Sequence, residues 1–145
     1  MKDQNQKARA VFFNEAGGAE VLKVNDIDMP VPGDDEVLIN VKSIGLNRAD
    51  IMYRRGMYFE SPVFPAKLGY EAAGFVEEVG AGLKNAFQQG DKVSIIPAFS
   101  LHQYATYGDH ILAPGYAVRK HPDQLSFDEA AALWTSYLTM YGMLV

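Results

Sequence analysis

Cysteine is absent from the 145-residue sequence, so neither a disulfide framework nor a thiolate metal site can be built from it. Positive charge is scarce: 13 Lys and Arg stand against 18 Asp and Glu, giving a net charge of −5. Nucleic acid and anionic membrane surfaces both require clustered positive charge, so neither is expected as a partner. No apolar run approaches the roughly 20 residues of a membrane span. The polar start over residues 1–7 (MKDQNQK) has no apolar stretch of the kind a secretion signal carries. It is expected to be a disordered tail, and a cytoplasmic location follows by default.

What is present is an ordinary globular composition, 48% apolar, in a chain long enough for one domain with a real core. Short apolar or alternating runs dominate, separated by Gly, Pro and Asp. Residues 8–13, 21–27, 36–44, 74–79, 92–96, 106–112 and 116–119 read as strands. Residues 36–44 (EVLINVKSI) alternate most cleanly, with Val37, Ile39 and Val41 on one face. Pro30 and Pro32 stop any helix and exclude a central strand between the second and third runs. Many short strands at close spacing indicate a barrel or sandwich rather than alternating β–α–β units. Two segments break the pattern. Residues 47–55 (NRADIMYRR) suit a short helix stopped by Gly56, and Ser126 with Glu129 has the spacing of a capping box, so a helix starts there.

Several features invite a functional reading that the residues alone do not support. His102, His110 and His121 lack a ligand spacing such as i, i+4 and are expected to be surface or hydrogen-bonded histidines. Tyr104, Tyr107 and Tyr116 are expected in packing, and Arg54-Arg55 as a solvated pair rather than a phosphate contact. Gly80-Ala81-Gly82 suggests a dinucleotide loop, but Asn85 stands where the third glycine belongs, and Gly90-Asp91 leaves no room for the helix such a loop needs.

The ordered motifs carry more. Gly69-Tyr70-Glu71-Ala72-Ala73-Gly74 followed by Gly80 resembles the medium-chain dehydrogenase signature Gly-His-Glu-x-x-Gly-x(5)-Gly, with Tyr70 replacing the histidine. Gly45-Leu46-Asn47-Arg48-Ala49-Asp50, then Gly56-Met57-Tyr58, resembles the Gly-x-Asn-x-x-Asp…Gly-x-Tyr segment of quinone reductases. Gly90-Asp91-Lys92-Val93, residues 106–110 (TYGDH) and residues 126–131 (SFDEAA) follow in the family's order. The chain thus resembles the zinc-free quinone-oxidoreductase branch of the medium-chain dehydrogenase/reductase superfamily over residues 8–145.

The resemblance implies a mostly β fold, a GroES-like (alcohol dehydrogenase-like) distorted β-barrel with a few short helices. Residues 8–125 form the substrate-side domain, and residues 126–145 begin the helical connection to a nucleotide-binding domain that holds NADPH or NADH. The apolar stretch over 141–145 is expected to belong to a longer protein, a homodimer when intact, and this chain alone is expected to be inactive. Zinc-bearing relatives place a Cys at Asn47 and a His at Tyr70, and neither is here, so no metal is expected. Glu71 is expected to be a buried carboxylate satisfied by backbone amides, the alternative being an orienting role at the cleft. Without a Lewis acid, the substrate must be electrophilic already, as quinones and conjugated enones are, or hydrogen-bond donors must meet its developing oxyanion. By family position Asn47 and Tyr58 are those donors and Asp50 fixes their geometry. Asn47, Met52 and Tyr53 are expected against the cofactor, although quinone reductases commonly carry Tyr at the position of Met52. An alkenal double-bond reductase fits the same motifs. A free-standing GroES-like binding module has no reason to carry residues 47–58. Metal analysis of untagged protein is expected to find no stoichiometric zinc; chelator-resistant zinc at one ion per chain overturns the zinc-free reading.

Overall fold

A computed structural model describes residues 6–145. Seven strands and three helices make up its elements, in a mostly β architecture. Strand β1 (Lys7–Phe12) pairs antiparallel with β2 (Lys23–Asp28), and Lys7 and Asp28 close the ribbon with an ion pair of 2.5 Å. Residues 1–5 of the expected tail lie outside the described residues, and Lys7 already belongs to β1. The other strands are β3 (Glu36–Gly45), β4 (Glu71–Val79), β5 (Lys92–Ile95), β6 (His110–Pro114) and β7 (Val118–Lys120). They form an antiparallel sheet in the order β6-β3-β4-β5-β7. Strand pairing does not close the sheets into a barrel. Single bridges, Ala10 to Gly108 and Phe13 to Ala66, tie the ribbon to the rest.

Three expected strands shift in detail. The start of 21–27 is a 3₁₀ turn over Ala19–Val21, and the start of 116–119 lies in another over Gly115–Ala117. Residues 106–108 stay outside β6 because their backbone is bonded elsewhere: the amides of Thr106 and Tyr107 donate to the carbonyls of Gly69 and Leu68. Strand β3 also differs from a one-faced strand. Val37, Leu38 and Ile39 are all essentially inaccessible, so both faces of its first half are covered. The alternation fails at Leu38, where the β3–β4 register shifts between Leu38 and Ile39 and the strand departs from a regular pleat.

The core has three parts. Val37, Ile39, Val76, Val93 and Ile95 fill the sheet's main cluster. A second cluster, Phe13, Tyr53, Leu68, Tyr70 and Leu101, lies beneath helix α1 (Arg48–Arg54). The third is small: Ala73 meets Ala130 and Ala131 of helix α2 (Phe127–Ala131), with Phe127 edge-on to Phe75.

Helix α2 begins as its capping box dictates. Glu129 N donates to Ser126 Oγ at 3.2 Å, and Ser126 N donates back to Glu129 Oε2 at 2.8 Å. Helix α3 (Trp134–Leu144) follows, anchored by Trp134 Nε1 donating to Ser94 Oγ at 2.9 Å and otherwise without a buried residue.

Helix α1 is pinned at its far end by Arg54. This residue is buried rather than solvated: its Nε donates to the Gly17 carbonyl at 3.2 Å, and Gly17 N donates to the Arg54 carbonyl at 3.2 Å. The Gly17-Gly18 turn supplies an acceptor that keeps the guanidinium from solvent. Gly56, at φ +68°, then ends the helix in a conformation that glycine adopts freely.

At Gly45 the end of β3 meets α2 without a side chain between them, since a Cβ there would lie 2.1 Å from the Ala131 carbonyl oxygen. Gly45→Ala therefore forces backbone to move and is expected to cost about 1–3 kcal/mol in urea denaturation. An unchanged midpoint would show that α2 is free to shift.

Candidate functional site

The site is built around the start of α1. Asn47 ends the extended approach from β3 and caps the helix: its N–H donates to Asp50 Oδ2 at 2.9 Å. Its side-chain Nδ2 reaches the first residue of β4 and donates to Glu71 Oε1 at 3.1 Å. Two carboxylates thus hold one asparagine, one by the backbone and one by the side chain. Both are buried, Asp50 at 2% exposure and Glu71 at 1%. The Tyr107 hydroxyl donates to Asp50 Oδ2 at 3.2 Å. Thr106 Oγ1 donates to the Glu71 carbonyl at 3.0 Å. Gly69 lets this segment come so close: it has φ +108°, and a Cβ there would lie 2.4 Å from both Thr106 and Tyr107.

Glu71 departs from expectation. Its side chain is held by the Asn47 amide group and not by backbone amides, because Asn47, two residues past the Gly45 that pairs with Glu71, lies beside it. Glu71 Oε2 and Asp50 Oδ1 are both buried with no hydrogen-bond partner. Burial, reinforced by the Glu71 charge, raises the Asp50 carboxyl to about 6, against the lowering effect of the Asn47 and Tyr107 hydrogen bonds. The Tyr107 phenol is in turn pushed well up, by burial and then by the charge of Asp50.

Beside this network lies an aromatic cavity of about 350 Å³, lined by Ala49, Tyr58, Phe59, Tyr70, Phe99 and Leu138 among others. The Tyr58 ring packs on Phe59 at 4.4 Å and faces Tyr70 at 6.2 Å, and Tyr70 meets Phe99 at 5.9 Å. Burial and the neighbouring Tyr58 push the Tyr70 phenol far up, so it stays protonated.

The sequence-predicted residues separate into three places. Tyr58 lines the cavity. Asn47 and Asp50 stand behind its wall, connected to it through Ala49 on the same helix and through the Tyr70-Glu71 step. Tyr53 belongs to neither place: it is 1% exposed, edge-on to Phe13 at 5.9 Å in the core beneath α1, where packing takes the surface a cofactor contact would need. Met52 is half-buried on α1 and does not line the cavity. Tyr107, expected only in packing, turns out to be Asp50's partner, and Phe99 is an unforeseen wall. Tyr107 lies in the 106–110 motif, but nothing in that motif pointed to Asp50, 57 residues away in sequence.

Two implied groups can be tested against the donors present. At the positions where relatives hold zinc stand an Asn47 amide whose nitrogen donates to Glu71, and Tyr70, a packed, protonated phenol. That donor set does not suit zinc. The histidines lie elsewhere. His110 sits between Glu77 (3.0 Å) and Asp109 (3.3 Å), His102 Nε2 lies 2.7 Å from the Ser61 carbonyl oxygen, and His121 packs edge-on to Phe127. For dinucleotide phosphates, Gly80 is occupied by packing: a Cβ there would strike the Gly33 carbonyl oxygen at 2.0 Å. A single 3₁₀ turn over Ala81–Leu83 follows it where a phosphate loop needs a helix.

Residues 33–123 match the alcohol dehydrogenase GroES-like domain. The chain belongs to that family. Human quinone oxidoreductase is 38% identical over 138 residues, covering 94% of this chain and 40% of that protein. The human synaptic vesicle membrane protein VAT-1 homolog-like protein superposes with a TM-score of 0.86 at 35% identity, over 97% of this chain and 43% of that one. Escherichia coli quinone oxidoreductase complexed with NADPH superposes with a TM-score of 0.80 at 32% identity, over 94% of this chain and 40% of that one. The GroES-like fold and the medium-chain superfamily implied by the motifs are therefore shown. The chain spans about 40% of the length of the quinone oxidoreductases it matches.

The GroES-like domain's buried Asp50 has a pH signature. A carboxyl at about 6 in the folded chain, against 3.8 when unperturbed, binds more protons folded than unfolded between those values. Its contribution to stability is full below the lower value and is lost as pH rises through the upper one, a change on the order of 3 kcal/mol. Asp50→Asn removes this dependence. Urea midpoints from pH 4 to 7 are expected to fall for the wild type relative to the variant; parallel curves would place Asp50 in contact with solvent.

Proposed function

We propose that this GroES-like domain is the substrate side of an NAD(P)H-dependent oxidoreductase that reduces quinones or conjugated carbonyls by hydride transfer without zinc. The observation that carries this reading is the cavity wall. Where a metal-binding relative has a zinc-ligating histidine, this chain has a protonated Tyr70, and beside it stands Tyr58, a phenol donor lining an aromatic slot. Phe59, Tyr70 and Phe99 present ring surfaces suited to a flat conjugated ring. The relatives, quinone oxidoreductases among them and one complexed with NADPH, support the same substrate and cofactor class.

NADPH, when bound, would supply the hydride, and donors that meet the oxygen lower the barrier to its arrival. In this chain Tyr58 donates to the substrate oxygen as negative charge grows there, and the aromatic walls orient the ring and exclude water. Asn47, two residues from the lining Ala49 and bonded to Glu71 next to the lining Tyr70, offers its remaining amide hydrogen toward the same charge. Among the described residues the glycine turn at 80–82 is packed and has no helix behind it to cradle phosphates, which supports cofactor affinity that comes mainly from a further domain. The exposed apolar surface of α3, with Tyr137, Leu138, Tyr141 and Leu144 all accessible, supports residues 126–145 as a connection to a further domain.

The test uses the full-length protein with NADPH, a reactive quinone and a less reactive enone. Removing one preorganised oxyanion donor costs factors of about 10² to 10³ in well-studied enzymes. Here the product anion is delocalised, so Asn47→Ala and Tyr58→Phe are each expected to lower turnover roughly tenfold, about 1.4 kcal/mol of barrier. Cofactor affinity should be nearly unchanged, and the enone should suffer more than the quinone. Unchanged turnover of both variants on both substrates makes these residues scaffold.

A further inference from the structure

We infer that Glu71 is a positioning residue: its buried carboxylate sets the orientation of the Asn47 side-chain amide, leaving one N–H of that amide free to meet a substrate oxygen. The inference rests on the reading of Asn47 as a donor and adds the residue that makes it one.

An asparagine amide can present its oxygen or its nitrogen in either direction, and rotation about its last bond is soft. Alone, Asn47 would present its carbonyl as readily as its N–H, and a carbonyl facing a developing oxyanion raises the barrier. Glu71 removes the ambiguity. As a carboxylate it only accepts, so the Nδ2 group must face it, and the bond to Oε1 is 3.1 Å. The Nδ2 group carries two hydrogens, and among the described residues Glu71 is the one acceptor bonded to it. The second hydrogen remains available.

The support behind Glu71 is rigid. The residue is 1% exposed, begins β4, pairs with Gly45 in β3, and has its carbonyl held by Thr106. Asp50 holds the backbone of the same asparagine through its N–H. The main chain and side chain of Asn47 are thus fixed by separate carboxylates on separate elements. A buried carboxylate with one unpartnered oxygen is a costly feature for a merely structural role. An apolar side chain would fill the same space more cheaply, whereas the orienting function requires an acceptor.

The experiment compares Glu71→Ala, Glu71→Gln, Asn47→Ala and the Asn47→Ala/Glu71→Ala double variant in the full-length protein, with NADPH and an enone. Glu71→Ala is expected to lower kcat roughly tenfold, with KM within about twofold. Glu71→Gln retains an acceptor oxygen and should recover most of that loss. The double variant should be no slower than Asn47→Ala alone, because both changes remove one device. A readout independent of turnover comes from NMR of protein labelled with ¹⁵N at asparagine. The two Nδ2 hydrogens of Asn47 should be well separated in the wild type and in Glu71→Gln, and should collapse toward free-amide positions in Glu71→Ala. If Asn47→Ala leaves turnover intact, the donor reading of Asn47 fails. If Asn47→Ala is slow but Glu71→Ala is not, or if their losses multiply in the double variant, the positioning role alone is overturned. An unchanged Asn47 signal in Glu71→Ala overturns it too, whatever the kinetics.

Discussion

Two buried carboxylates sharing one asparagine is the constraint around which the rest of the domain is arranged. Asp50 and Glu71 come from different elements, and both are carboxyls buried where polar groups need partners. Neither has a cation bonded to it among the described residues, so neutral donors must hold them: the Asn47 N–H and amide group and the Tyr107 phenol. Satisfying those bonds fixes where α1 starts, how β3 delivers the chain to it, and how closely the 106–107 segment lies against β4. Gly69 is where the last requirement becomes a residue choice, since any side chain there would occupy the space of Thr106 and Tyr107.

The same constraint explains why the short helix is held so firmly at both ends. Seven residues are too few for a stable helix in water, and α1 depends on tertiary partners. Its start is gripped by Asp50 and Glu71, its last turn places Tyr53 in the core against Phe13, and its end is tied to Gly17 by Arg54. Tyr58 follows two residues after the Gly56 stop, so its position in the cavity derives from a helix that cannot easily turn or slide.

Features governed by neighbours in sequence were legible without the structure. The Ser126–Glu129 capping box is one, since its bonds close within a single turn. The Gly56 stop, the main strands and the family motifs are others. Features set by distant contacts were not. Arg54 looked like half of a solvated pair because its acceptor, the Gly17 carbonyl, lies 37 residues away in sequence. Leu38 broke the expected alternation because β3 is covered on both faces, which a single strand's pattern does not reveal. Tyr53 was placed against the cofactor as the neighbour of Met52, where quinone reductases commonly carry Tyr, yet helical geometry turns it toward Phe13. Glu71 was rightly read as buried, but its partner came from the asparagine side chain across the strands and not from the backbone. The site was therefore legible as a list of residues, and much less so as a set of bonds.

The contact at Gly45 acts as a mechanical bearing. Between β3 and α2 no side chain stands as a cushion, so the two backbones meet almost directly, and Gly45 lies only two residues before Asn47. Where side chains stand between a helix and a strand, a change of rotamer can take up part of a small tilt. Here there is no rotamer to change. A displacement of α2 toward the strand is delivered to the peptide chain leading into Asn47, and the asparagine's position becomes a gauge of how the helices after Ser126 are seated.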